Sequence, residues 1–87
     1  MARIHHRHRD RVLQVWGCCC GLCKQYQGYN PDTEIHHIKP QREGGTDTDD
    51  NLIPLCLLCH TMVRKGQIVF DRNKLLSELK ILLDKRR

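Results

Sequence analysis

The chain has no unbroken apolar stretch of the length a membrane-spanning helix needs, roughly 18 residues or more. Its opening, Met1 to Arg9, has neither an apolar core nor a small-residue cleavage site, so it does not read as a secretory leader. A reducing, cytoplasmic setting is the expectation. Aromatic residues are scarce, at 5%: one Trp, two Tyr and one Phe. No Gly/Ser-rich or Pro-rich linker and no internal repeat divides the 87 residues, so one small domain is expected. A dinucleotide-binding α/β fold would not fit in this length. A domain this short buries only about 60% of the surface its unfolded chain exposes. It therefore needs a staple such as disulfides, a metal or a partner.

The staple is present in the composition, which includes six cysteines and six histidines. In a reducing compartment closely spaced cysteines read as metal ligands rather than disulfides. Cys20-Gly-Leu-Cys23 and Cys56-Leu-Leu-Cys59 are two C-x2-C pairs. Each pair fits one Zn²⁺ through a tight turn, and the two complete a tetrahedron. A redox C-x-x-C is disfavoured because no βαβ pattern surrounds either pair. Spacing selects Cys20 over its neighbours, although an exchange with Cys19 stays open. Cys18 or Cys19 reads as a small buried hydrophobe beside the knuckle.

Fifteen Lys and Arg against ten acidic residues give a net charge of +5. Four thiolates around one Zn²⁺ carry about −2, which lowers the working charge to about +3. The basic residues crowd the ends: Arg3, Arg7, Arg9 and Arg11 at one, Lys80, Lys85, Arg86 and Arg87 at the other. Between them lie Glu43, Asp47, Asp49 and Asp50. Basic ends suit phosphate contacts at the flanks; solvated termini are the plainer alternative.

Along the chain, residues 1–8 read as a basic tail whose His5, His6 and His8 only superficially resemble a metal-binding tract. Residues 9–16 suit a short helix, and 9–87 form the domain, with a motif core at 18–65. Glu34–Ile38 reads as a short strand that Pro40 ends. Residues 41–50 form a loop in which Gly44-Gly45 supply the reversal. Asn51–Leu55 is a second strand, placed at an edge by Pro54. Cys59–Lys65 reads as a helix stopped by Gly66. Asp71 or Asn73 caps a last helix, about 72–85, whose Leu75, Leu76, Leu79, Leu82 and Leu83 form one stripe. Ile81 falls off that stripe, which reads as core packing rather than a dimer surface.

Ligand-type residues are dense between and just after the cysteine pairs: His36, His37, Asn51 and His60. The ordered set is Glu34-Ile-His-His-Ile-Lys-Pro40, Gly44-Gly45, then Asp50-Asn51-Leu-Ile-Pro-Leu-Cys56-Leu-Leu-Cys59-His60. It resembles the HNH endonuclease family, whose His, Asn and His correspond to His37, Asn51 and His60. The resemblance covers about residues 18–65. It implies a small α+β fold: a ββα-metal finger stapled by the four-cysteine zinc, here with flanking N- and C-terminal helices. It implies that His36 and His60 hold one catalytic divalent cation, that His37 is the general base, and that Asn51 fixes the loop that orients His37. The implied reaction is hydrolysis of DNA phosphodiesters to 5′-phosphate and 3′-hydroxyl ends, expected as nicking with weak sequence preference. The alternative is a zinc-stapled nucleic-acid-binding module without catalysis.

The residue chemistry suits these roles. A phosphodiester is anionic, so attack on it needs charge neutralised at phosphate, which a cation supplies. An imidazole near its ordinary pKa of about 6.5 accepts a proton from water at neutral pH. Its lone pair must then be free of metal. Some relatives, such as nuclease colicins, carry a further His where this chain has Arg64. With two imidazole ligands, Mn²⁺, Ni²⁺ or Co²⁺ suit the site better than Mg²⁺. Arg64 and Lys65 are candidates for phosphate contact. DNA is the implied partner, with a homodimer or a larger assembly possible. Relatives belong to phage, restriction systems and mobile elements. Neighbours on a regular strand face opposite ways, so the convergence of His36 and His37 predicts a bulge near His37.

Overall fold

A computed structural model describes residues 6–86. The elements run α1 (His6–Val15), β1 (Glu34–His37), β2 (Leu52–Leu55), α2 (Leu57–Arg64) and α3 (Arg72–Lys85). Short 3-10 turns occupy Gln41–Glu43 and Asp49–Asn51 between the strands. The two strands pair antiparallel, with Glu34 opposite Leu55, Ile35 opposite Pro54, His36 opposite Ile53 and His37 opposite Leu52. This is a small α+β fold whose strand–strand–helix unit lies between two outer helices.

Leu52, Ile53 and Leu55 are fully buried, and Ile38 almost so. β2 is buried on both faces, and the Ile38 N–H donates to the Asn51 carbonyl at 2.9 Å, so the pairing continues past His37 without a break. That accounts for a correction. The ladder runs regularly through His36 and His37, and the bulge expected near His37 is not part of it. Four residues of strand, pinned opposite a buried partner strand, leave no room for an extra one.

Helix α1 starts at His6, ahead of the expected start at Arg9. Its first turn is tied down from outside: His8 Nε2 lies 2.7 Å from Asp49 Oδ1. The expected tail therefore does not extend to residue 8; residues 1–5, with His5, lie outside the described residues. Val12, Leu13 and Val15 face the core, and the Trp16 indole donates to the Leu52 carbonyl at 3.1 Å. Arg9 donates to the Asn30 and Thr33 carbonyls, and Arg11 pairs with Asp49 at 3.0 Å. These two arginines hold the fold together, which weakens the reading of the N-terminal basic cluster as a phosphate grip.

Helix α2 starts at Leu57, two residues before the expected Cys59, because Cys56 caps it: its sulfur accepts from the Cys59 N–H. It ends where Gly66 takes a positive φ of 71°. In α3 the N-cap is Asp71, which accepts from the Lys74 N–H. Leu75 and Leu79 are buried, Leu76, Leu82 and Leu83 pack on the core, and Ile81 is exposed. The leucine stripe is therefore core packing. Lys24 reaches across the first knuckle to the Gly21 carbonyl and to Glu78 of α3, with its ammonium 5.0 Å from the Trp16 ring centre.

Candidate functional site

The first candidate centre is the cysteine cluster. The sulfurs of Cys20, Cys23, Cys56 and Cys59 all lie within 4.8 Å of one another. Tetrahedral zinc with Zn–S of about 2.3 Å requires sulfurs about 3.8 Å apart. Cys23 and Cys56 stand 3.8 Å apart, so the donor set fits that ion. Cys20, rather than Cys18 or Cys19, joins Cys23 in the cluster. Cys19 instead directs its sulfur at the Gly17 carbonyl and its backbone into a bridge with Tyr26. Cys18 takes a positive φ of 57°. Both are half-buried rather than part of the core.

Local electrostatics prepare the cluster for a cation. Burial pushes the Cys20 thiol up, but backbone hydrogen bonds from Cys56, Cys23 and Leu22 outweigh it and bring it down to about 7. Burial raises Cys23 and, together with neighbouring cysteines, raises Cys59 strongly. Four thiols this close cannot all ionise without a positive charge among them.

The second centre is built by β1 and α2. The ring centres of His36 and His60 are 6.0 Å apart, edge to face at 65°. Two imidazoles sharing one ion at about 2.1 Å have centres no more than about 6.5 Å apart. The spacing of the pair lies within that limit. Phe70, from the segment before α3, packs edge-on against His36 at 5.3 Å. Burial first, then the charges of His60 and His37, holds His36 below the ordinary imidazole range. This favours the neutral ring, which is the form that ligates metal.

His37 does not join that pair directly. Its Nε2 lies 2.5 Å from Asp47 Oδ1, and Asp47 Oδ1 also accepts from the Gln41 amide at 2.9 Å. The histidine side chain is only 15% exposed, its carboxylate partner 49%. Regular alternation thus sends the adjacent imidazoles to different partners, while His37 remains near enough to be felt electrostatically at His36.

Asn51 is buried and hydrogen-bonded at both ends of its amide. Its Oδ1 accepts from the Lys39 N–H at 2.8 Å, and its Nδ2 donates to the carbonyls of Lys39 at 3.0 Å and Thr46 at 2.9 Å. One side chain thereby closes the loop 39–46. Gly45 makes that closure possible, since a Cβ there would lie 1.8 Å from the Lys39 carbonyl oxygen. Arg64 and Lys65 are exposed at the end of α2.

The sequence did not single out Asp47, Gln41 or Phe70. Asp47 is one of four acidic residues between the two basic ends. Its one distinguishing feature was its place two residues after Gly45, where a tight loop returns toward β1. Phe70 carried a signal as the only Phe in a chain poor in aromatics.

Comparison with known proteins places the chain in a family. The chain is 37% identical over 62 residues to the type IV methyl-directed restriction enzyme EcoKMcrA of Escherichia coli strain K12. That match covers 60% of this chain and 22% of the enzyme, so the chain corresponds to a small part of that protein. It is 30% identical over 67 residues to Anaredoxin of Nostoc sp. strain PCC 7120, covering 77% of this chain and 84% of that protein. The HNH endonuclease family model matches residues 20–66, from the first zinc-type cysteine to the glycine that stops α2. That segment is more than half of the sequence and contains both centres, and the chain belongs to the HNH endonuclease family.

Proposed function

We propose that this chain is a metal-dependent DNA endonuclease that hydrolyses phosphodiester bonds to 5′-phosphate and 3′-hydroxyl ends, nicking with weak sequence preference. The observation that carries the reading is the His36–His60 pair at 6.0 Å, beside a third histidine, His37, that is turned to Asp47. A non-catalytic nucleic-acid binder has no use for that division.

His36 and His60 would hold one divalent cation, Mn²⁺, Ni²⁺, Co²⁺ or Mg²⁺, which would neutralise charge at the scissile phosphate and at the departing 3′ oxygen. His37 accepts the proton of the attacking water as general base. Asn51 holds the loop that carries Asp47 toward His37. Arg64 and Lys65 meet flanking phosphates on DNA. The four cysteines hold a structural Zn²⁺ that ties the segment at 20–23 to the start of α2.

A supercoiled plasmid with each of the four metals tests this. The native chain should yield nicked circles whose ends ligate as 5′-phosphate and 3′-hydroxyl. His37→Ala, with zinc content and circular dichroism unchanged, should lose about 100-fold or more of that rate. Tight DNA binding without nicking in any metal would overturn the reading in favour of the binding module.

A further inference from the structure

We propose that Asp47 is a positioning residue for His37: its carboxylate holds the imidazole with the proton on Nε2 and leaves Nδ1 as the nitrogen that takes the proton from water. This rests on the nuclease reading and adds a residue to it. A carboxylate accepts hydrogen bonds and does not donate them. The Nε2 of His37, at 2.5 Å from Asp47 Oδ1, is therefore the protonated nitrogen. A neutral imidazole has one N–H and one lone pair, so fixing the proton at Nε2 fixes the lone pair at Nδ1. The arrangement follows the logic of a base oriented by a third group.

Asp47 reaches this position through the loop around it. Asn51 Nδ2 grips the Thr46 carbonyl at 2.9 Å, immediately before Asp47. The Gln41 amide donates to the same carboxylate oxygen at 2.9 Å and sets its direction. Gly45 lets the chain pass against Lys39 and Pro40, its own N–H donating to the Pro40 carbonyl at 2.9 Å. The neighbouring acids are engaged elsewhere: Asp49 with His8 and Arg11, and Asp50 with the Thr48 hydroxyl. Asp47 is thus the loop acid committed to the base.

Two variants and two readouts test the proposal. Asp47→Ala removes the acceptor. Asp47→Asn removes the charge and keeps an oxygen that accepts from Nε2–H. With zinc content and DNA affinity unchanged, Asp47→Ala should slow single-turnover plasmid cleavage about 10- to 100-fold, and Asp47→Asn should recover most of that loss. Equal loss in both variants, or none in Asp47→Ala, overturns the proposal.

The second readout does not depend on cleavage. In ¹⁵N spectra of the native zinc-loaded chain, His37 should be the Nε2–H tautomer, with that proton protected from exchange. Protection should vanish in Asp47→Ala and return in Asp47→Asn. A Nδ1–H tautomer, or an unprotected Nε2 proton in the native chain, overturns the proposal even where the plasmid is nicked. A chain that shows the bond yet nicks no DNA overturns the nuclease reading and leaves the Asp47–His37 contact established.

Discussion

Asn51 shows how much one side chain carries here. It is 5% exposed and makes three hydrogen bonds across one loop. Asn51→Ala strands the Lys39 N–H and the carbonyls of Lys39 and Thr46. Each buried group left unpaired costs about 1–3 kcal/mol, less where water enters. Urea denaturation should therefore show a loss of about 2–4 kcal/mol. The variant should also lose cleavage beyond its loss of folded fraction, because the loop carries Asp47. A stability change below about 0.5 kcal/mol would mean the amide does not close the loop. Gly45→Ala fails for a different reason, since its Cβ has no space beside the Lys39 carbonyl. It should be the more damaging change of the two. At this scale the sequence announced Asn51 and the Gly-Gly pair through a family pattern. It did not announce Asp47, because an acid in an acidic loop carries no periodicity and its partner is ten residues away.

At the scale of elements, legibility followed burial. The stripe in α3 was readable because five leucines at helical spacing have one physical explanation, and Leu75 and Leu79 are indeed buried. The start of α1 was not readable. His6 to Arg9 are polar, and what makes them helical lies far away in sequence, at Asp49, Asn30 and Thr33. The regular ladder at His36 and His37 is unreadable for a related reason: the expectation of a bulge comes from what the two rings must do, whereas the backbone follows its pairing with a strand buried on both faces. Leu79, at 1% exposed, tests how far α3 belongs to the domain. Leu79→Ala should cost about 2–5 kcal/mol by transfer and cavity formation, enough to depress the melting temperature by roughly 10 °C or more in a domain of this size. Ile81→Ala, on the exposed face of the same helix, should stay within about 0.5 kcal/mol. Equal effects at both positions would indicate that α3 packs on something other than this core.

The whole molecule depends on joining the segment at 20–23 to the segment at 56–59. Its radius of gyration is 12.0 Å, which is about the value expected for a compact chain of this length. Yet among the described residues the core is only a dozen or so side chains, with Trp16 as its one buried aromatic. In domains of this kind the free energy of metal binding is largely the free energy of folding. Metal analysis should find about one Zn²⁺ per chain. Strong chelation, or Cys23→Ser and Cys56→Ser, should abolish the helical signal rather than soften it. The same loss should erase cleavage, since His36 stands on β1 and His60 directly follows Cys59 on α2. Excess Mn²⁺ should then fail to restore activity, whereas returning Zn²⁺ together with Mn²⁺ should restore both helix and nicking. If the metal-stripped chain kept its full circular dichroism, the fold would be shown to stand on its apolar packing alone.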